Sequence, residues 1–261
     1  MFGSLWTYRG FITGSVRREF QARYRNSLLG ALWTVLNPLA MILVYTVVFS
    51  QLMHSRLPGV DNHLAYGFYL CAGFLIWGLF GEIAGRGQSM FLDNANLIKK
   101  LNFPRICLPA VVIGSALVNF CITFIIFLLL LTLAGAFPGR ALLALPVLLA
   151  IMLAFAMGLG MLLGVLNVFF RDVGQLFGIA MQFWFWLTPI VYPISILPHF
   201  IRPLVEFNPM TPLVGAFQQV LVYQSWPDWP SLLSPLLVAM LLCVMGMHLF
   251  RSRAGEMVDE L

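Results

Sequence analysis

Two unbroken apolar runs, at 106–136 and 141–170, constrain this chain more than any other feature of its sequence. They hold 31 and 30 residues without a single Asp, Glu, Lys or Arg. A helix of about 20 apolar residues, rising about 1.5 Å per residue, crosses the hydrocarbon core of a bilayer. Each run is therefore long enough for one tilted crossing and too short for two crossings joined by a turn.

The composition of the whole chain places these runs in an integral membrane protein. Of its 261 residues, 61% are hydrophobic and 10% are charged, whereas soluble domains have about 45–50% apolar and about 25% charged residues. A globule of this length cannot bury so much apolar surface, so lipid must cover the rest. These figures exclude a secreted disulfide scaffold, a disordered tail and an ordinary soluble enzyme. The net charge of +5 is spread in short clusters, which argues against nucleic acid as a partner.

The sequence predicts an all-α protein with six transmembrane helices. The charge-poor runs lie at 32–53, 64–80, 106–136, 141–170, 173–192 and 231–250. Positive residues accumulate on the cytoplasmic side of membrane proteins, and the connections hold twelve Lys and Arg residues on one side against three on the other. We therefore expect a multi-pass protein of the cytoplasmic membrane with both termini in the cytoplasm. An even number of crossings likewise requires both termini to lie on one side of the membrane.

The N-terminal segment, residues 1–30, departs from the pattern of a simple span. On a helix over 5–25, one face gathers the apolar and aromatic residues Leu5, Trp6, Tyr8, Ile12, Val16, Phe20 and Tyr24. This pattern predicts an amphipathic helix that lies in the cytoplasmic interface, ahead of a transmembrane domain over 31–261. Because Arg9 and Arg23 fall on the apolar side, an unstructured basic arm is the alternative.

The connection between the fifth and sixth spans is rich in proline. Eight of the fifteen prolines lie within 189–230, where only Arg202, Glu206 and Asp228 are charged. Proline interrupts helices, and broken backbone at membrane depth needs protein or a water-filled cavity to satisfy its polar groups. We therefore expect short re-entrant helices that form an outer gate over about 193–230. A loop on the outer surface with membrane-facing side chains is the alternative.

The chain carries no motif for catalysis or for ATP hydrolysis. Its only lysines, Lys99 and Lys100, lack the glycines of a phosphate-binding loop, and HExxH and GxSxG are absent. Glu82 and Arg86 stand at i,i+4 near the predicted end of the second span, which indicates an ion pair at the cytoplasmic edge. We therefore expect no enzyme activity, no metal and no cofactor in this chain.

Four consecutive aromatic residues, Phe183 to Trp186, lie within the fifth run. Successive helical residues point about 100° apart, so about two of the four can face one lumen. Aromatic rings suit both the interfacial belt and stacking against the C–H faces of sugar rings. Both roles remain open from the sequence, as does close helix contact through Gly81-x-x-x-Gly85 and Gly160-x-x-x-Gly164.

Five short sequence segments, taken in order along the chain, form a recognisable pattern. They are RYRNSLLGALWTVLNPL at 23–39, NLIKKLNFPR at 96–105, NVFFRDV at 167–173, LTPIVYP at 187–193 and NPMTP at 208–212. Together with six spans and an interface helix, these segments resemble the permease subunits of type-2 ABC exporters for O-antigen, capsular polysaccharide and teichoic acid. The resemblance covers nearly the whole chain.

The resemblance implies a channel made by two copies of this chain and driven by two separate ATPase subunits, which would bind ATP and Mg. It also implies a coupling helix at about 96–104 that docks on the ATPase. The residues concerned are Leu97, Ile98, Lys99, Lys100, Leu101, Asn102 and Phe103. Pro104 would end this helix, and a loop that serves only as a topology signal is the alternative.

The implied substrate is a lipid-linked polysaccharide, moved across the bacterial inner membrane, with O-antigen or capsule favoured over teichoic acid. The candidates for its path are the aromatic residues Tyr66, Tyr69, Phe183, Trp184 and Trp186. Arg17, Arg18 and Arg23 are candidates for receiving an anionic head group through charge-assisted bonds, although topology alone would also place them there. The alternative function is an ATP-independent lipid scramblase or a membrane scaffold.

Overall fold

The computed structural model describes residues 6–24, 65–100, 106–194 and 197–261, with isolated positions between 32 and 44. Most of the predicted first span therefore lies outside the described residues. So do the coupling-helix residues Leu101, Asn102 and Phe103, and the side chains of Arg23 and Lys100.

The described residues are mostly helical and contain no strand. The helices are α1 (Arg9–Tyr24), α2 (Ala65–Asp93), α3 (Ala95–Lys100), α4 (Cys107–Leu133), α5 (Leu145–Phe169), α6 (Asp172–Trp186), α7 (Arg202–Phe207), α8 (Met210–Leu221), α9 (Leu233–Arg253) and α10 (Glu256–Glu260). Short 3₁₀ turns at Gly139–Ala144 and Pro230–Leu232 lead into α5 and α9. Within the described part of the chain, four helices have the length and apolarity of a membrane crossing: α2, α4, α5 with its preceding turn, and α9 with its preceding turn. The prediction of an all-helical membrane protein is confirmed, and the six-span count stays a prediction.

Two predicted spans have the wrong ends. The second was expected to stop at Phe80, but α2 continues to Asp93, because Glu82 and Arg86 find partners on neighbouring helices instead of ending the helix. The fifth was expected to reach Tyr192, but α6 ends at Trp186 after 15 residues. Pro189 cannot continue a helical ladder and disfavours helical backbone at Thr188 before it.

Helix α5 packs between α2 and α9 through glycines on two of its faces. Toward α2, a Cβ atom on Gly87 would lie 2.8 Å from the Cα atom of Gly160, and one on Gly164 would lie 2.5 Å from the carbonyl oxygen of Gly87. Toward α9, a Cβ atom on Gly246 would lie 3.0 Å from the carbonyl oxygen of Gly158. Helices in lipid associate through such close backbone contacts. Gly160-x-x-x-Gly164 therefore is a helix contact, whereas nothing lies within 4 Å of a Cβ atom on Gly85.

This contact predicts opposite effects for two neighbouring substitutions in α2. Gly87→Ala forces α2 and α5 apart, because the new methyl group meets backbone atoms, and should destabilise the protein by about 1–3 kcal/mol. Gly85→Ala adds the same group in open space and should be neutral or stabilising by about 0.5–1 kcal/mol. The thermal unfolding midpoint of each purified variant in detergent measures the difference. Equal midpoints would contradict the proposed contact.

Candidate functional site

The structure has a helix, α1, in the segment where the sequence predicts one, and this helix packs against α4. Its half-buried residues include Ile12, Val16 and Phe20, and Val16 Cγ2 lies 3.0 Å from the position of a Cβ atom on Gly114 of α4. The prediction of a helix in this segment is confirmed, with bounds close to those expected. Its position in the membrane interface stays a prediction.

A polar network joins α1 to α2 and α4. The Oε2 atom of Glu19 accepts a hydrogen bond from Arg86 Nη2 at 2.5 Å and another from Ser115 Oγ at 2.6 Å. Arg86 Nη1 also lies 3.8 Å from Glu82 Oε1, which accepts a hydrogen bond from Asn119 Nδ2 at 2.7 Å. A single carboxylate of α1 thus contacts two of the apolar helices at once. We call these five residues the Glu19 network.

The network contains the ion pair between Glu82 and Arg86 that the sequence predicts and extends it to α1. Glu82 and Arg86 do approach each other, but the closest carboxylate to Arg86 belongs to Glu19, 67 positions away in the chain. The i,i+4 rule cannot reveal such a partner. One feature of the sequence could have drawn attention to Glu19. It is the first acidic residue of the chain, it is surrounded by arginines, and the next acidic residue is Asp61.

Two cavities flank the Glu19 network. One, of about 450 Å³, is lined by Glu19, Arg86, Ser115 and Asn119 together with apolar side chains of α1. The other, of about 410 Å³, reaches toward α3 and includes Arg18. The Nη2 atom of Arg18 donates a hydrogen bond to Ser15 Oγ at 2.9 Å. Of the predicted head-group residues, Arg18 therefore faces a cavity, Arg17 is exposed, and the side chain of Arg23 is outside the described part.

Helix α3 covers the first part of the predicted coupling helix. It leaves the end of α2 at Asn94, whose carbonyl oxygen accepts hydrogen bonds from the backbone N–H groups of Leu97 and Ile98. Ile98 is buried, Leu97 is half-buried and Lys99 is exposed. The apolar residues Leu97 and Ile98 of α3 therefore pack against the rest of the protein, and Lys99 is exposed to solvent.

At the other end of the helix bundle, Asn208 joins two of the sequence motifs. Its Oδ1 atom accepts hydrogen bonds from Trp184 Nε1 at 2.8 Å and from the backbone N–H of Met210 at 3.0 Å. Its Nδ2 atom donates to Thr188 Oγ1 at 3.0 Å and to the carbonyl oxygen of Leu187 at 3.3 Å. These bonds attach the break after α6 to the start of α8. The motif spacing in the sequence does not reveal this contact.

The proline-rich connection contains two short helices, α7 and α8, and their re-entry into the membrane stays a prediction. Helix α8 is largely buried and packs against α2 and α5, with Leu213, Val214 and Phe217 inaccessible to solvent. Gln218 Nε2 donates a hydrogen bond to the carbonyl oxygen of Tyr69 at 3.3 Å. The connection is therefore folded into the protein at this point.

The five aromatic residues predicted to line a substrate path separate into two groups. Tyr66 and Tyr69 are buried and donate hydrogen bonds to the carbonyl oxygens of Val191 and Pro189, at 2.7 and 3.4 Å. The Trp184 ring packs against those of Trp77, Phe80 and Phe155, with centroids 5.3–6.2 Å apart. Phe183 and Trp186, in contrast, are 68% and 60% exposed. The structure therefore does not bring the five rings to one surface of the chain.

Tyr192 fixes the end of α6 from the connection that follows it. Its hydroxyl donates a hydrogen bond to the carbonyl oxygen of Trp186 at 2.6 Å. Burial raises the pKa of the Tyr192 phenol, so the group stays a neutral donor at physiological pH. The backbone of Trp186 is thus held by a hydrogen bond, while its ring stays exposed.

A further asparagine, Asn167 in the motif NVFFRDV, joins α5 to α2 and α6. It is 4% exposed, and its Nδ2 atom donates to Gln88 Oε1 at 2.8 Å and to the carbonyl oxygen of Gln88 at 3.0 Å. Its Oδ1 atom accepts a hydrogen bond from the backbone N–H of Gly174 at 3.2 Å. The motif thus serves as a buried polar junction of three helices.

This arrangement of apolar helices and polar junctions defines a multi-pass membrane protein. The model of the ABC-2 type transporter family matches residues 12–222. The chain therefore belongs to the ABC-2 type transporter family, and its resemblance to type-2 ABC exporter permeases is confirmed.

Three relatives place the chain within this family. The O-antigen export system permease protein RfbA of Myxococcus xanthus is 33% identical over 259 residues, which cover 98% of this chain and 97% of the relative. A protein of the same name from Klebsiella pneumoniae is 26% identical over 78% of this chain and 76% of its own length. The polysialic acid transport protein KpsM of Escherichia coli is 21% identical over 93% of both chains.

The Glu19 network predicts a measurable coupling between α1 and α2. In a double-mutant cycle, Glu19→Ala and Arg86→Ala should show an interaction free energy of about 1 kcal/mol in thermal or denaturant unfolding, because the pair is only partly exposed and hydrogen-bonded. The matched control is the more exposed pair Arg202 and Glu206 within α7, where a cycle should give about 0.3–0.5 kcal/mol. A coupling at Glu19 no larger than at Glu206 would contradict the role of the network.

Proposed function

We propose that this chain is the channel-forming subunit of an ATP-driven exporter that moves lipid-linked polysaccharide, of O-antigen or capsule type, across the bacterial inner membrane. The observation that carries the proposal is the 33% identity, over nearly the full length of both chains, to an O-antigen export permease. The relation to a polysialic acid transport protein supports the same substrate class. Two ATPase subunits bind the ATP and Mg, and this chain binds neither.

The orientation follows from the charge pattern. The connections that include α1 and α3 belong to the set that holds twelve of the fifteen Lys and Arg residues in the sequence, so we place α1, α3 and both termini on the cytoplasmic side. The ATPase then docks on α3, whose exposed Lys99 faces away from the protein while Ile98 anchors the helix. The opposite end, with α7 and α8, faces outward as the gate.

Helix α2 connects the proposed docking helix α3 with the proposed gate. Its 29 residues extend about 43 Å, from Tyr66 and Tyr69 at the gate to the junction with α3. The two tyrosine hydroxyls contact the carbonyl oxygens of Val191 and Pro189. A displacement of α3 by the ATPase would therefore reach the segment that follows α6.

The channel forms between two copies of this chain. Helix α6 exposes one apolar stripe that includes Leu176, Ile179, Phe183 and Trp186, and we assign this stripe to the second copy and to the substrate path. The rings of Phe183 and Trp186 are accessible for stacking on sugars. Those of Tyr66, Tyr69 and Trp184 are covered and become part of the path only when the gate opens. Arg17, Arg18 and Arg23 lie on or beside α1 at the predicted entrance, where an anionic head group would arrive.

Reversing the charge of the predicted docking surface tests this function. The double variant Lys99→Glu, Lys100→Glu should lower cell-surface polysaccharide about tenfold, which corresponds to about 1.4 kcal/mol of docking free energy. Because Lys99 is exposed, the protein should still accumulate in the membrane. The control variant Arg140→Glu reverses an exposed charge outside the proposed docking surface and gate, and it should export normally. Undiminished export by the Lys99, Lys100 variant would contradict the docking role.

A further inference from the structure

The C-terminal helix α10 packs against α3 and α5. It follows α9 after a short turn at Ala254 and Gly255 and contains five residues. A helix this short does not form stably by itself, so its conformation depends on the surface it contacts. The sequence assigns no role to this segment.

Burial shows how α10 is attached. Met257 is 1% exposed and Ile98 of α3 is 7% exposed, and both belong to one continuous apolar core. Leu97 and Leu261 are partly buried against the same core. The charged residues Glu256, Asp259 and Glu260 stay exposed. Helix α10 therefore turns Met257 inward, to the core that also holds Ile98, and its carboxylates outward.

Two contacts hold the segment of the chain that leads into α10. Arg253 Nη1 donates a hydrogen bond to Glu256 Oε2 at 2.5 Å across the turn. Just before the turn, the rings of Phe91 in α2 and Phe250 in α9 stack, with centroids 5.5 Å apart and planes at 12°. The stacked rings thus join α2 to α9 shortly before the start of α3 and the start of α10.

Helix α3 needs such support. It has six residues and is joined to α2 through the turn at Asn94, where the Asn94 side chain donates a hydrogen bond to the carbonyl oxygen of Met90. A force on α3 could be absorbed by rotation at this turn. Contact with α10, which itself contacts α5, opposes that rotation and passes the displacement into the membrane helices.

We propose that α10 braces α3 and that Met257 is the positioning residue of this brace, required to couple ATP hydrolysis to transport. The proposal rests on the proposed function, because it assumes that an ATPase acts on α3. The brace does not contact ATP or the glycan. Its loss should leave the exposed Lys99 surface intact, so the ATPase still binds and hydrolyses ATP while export fails.

The test compares Met257→Asp with Met257→Leu in the full chain, coexpressed with the ATPase of the same genome. A buried, unpaired carboxylate is strongly unfavourable, so Met257→Asp should displace α10 and lower cell-surface polysaccharide about tenfold. The amount of copurified ATPase and the rate of ATP hydrolysis per complex should stay near wild type. Met257→Leu keeps an apolar side chain of similar size and should export normally, as should Asp259→Asn on the exposed side of α10.

A truncation that ends at Arg253 provides a second variant in case Met257→Asp does not accumulate, and it should show the same separation of hydrolysis from export. If both variants export as well as wild type, the proposal that α10 braces α3 is wrong. If export, bound ATPase and hydrolysis fall in equal proportion, α10 acts in docking or folding, and the positioning role is also wrong. If wild type itself neither binds the ATPase nor exports glycan, the proposed function fails instead.

Discussion

The fold depends on the contact between α2 and α5 at Gly87, where the two backbones meet without intervening side chains. The residues on either side of this glycine add polar contacts to α1 and to α5. Arg86 contacts Glu19 of α1, and Gln88 contacts Asn167 of α5. Three consecutive positions thus attach α2 to α1 through Arg86 and to α5 through Gly87 and Gln88. In lipid, where apolar burial contributes little to helix association, such close and polar contacts determine the packing.

This attachment gives α2 its position in the proposed mechanism. At one end it carries α3 and borders the Glu19 network, and at the other its tyrosines contact the carbonyl groups after α6. Asn208 then joins the same segment to Trp184 and the start of α8. A movement at α3 therefore has a continuous path to the proposed gate through one helix and a few hydrogen bonds, provided that α3 moves together with the bundle.

Long apolar runs predict membrane helices well, because length and hydrophobicity are local properties of the sequence. The sequence pattern of α1 predicted a helix, and the prolines before α9 predicted an interrupted connection, because both are also local properties of the sequence. The end of α2 was predicted wrongly, because Glu82 and Arg86 look like residues at a membrane boundary until their partners Asn119 and Glu19 are known. Helix α10 is too short for a periodic pattern and becomes ordered by tertiary contact.

The site was less predictable than the fold, since its residues act through contacts distant in sequence. Asn208 and Asn167 lie in segments that the family resemblance had picked out, yet their hydrogen-bond partners follow only from the structure. Spacing also could not separate exposed Phe183 and Trp186 from Trp184, which is packed inside. A run of four aromatic residues on a helix covers every face, and only the neighbouring helices decide which faces are buried.

The most direct test of the central claim is the composition of the complex that this chain forms. The chain and the ATPase of the same genome would be coexpressed, purified in detergent and weighed by native mass spectrometry, with ATP hydrolysis measured on the same sample. The proposed function predicts two copies of each subunit and hydrolysis that disappears when the phosphate-loop lysine of the ATPase is replaced. A chain that purifies alone and moves lipids across reconstituted vesicles without an ATPase would contradict it and indicate a passive scramblase.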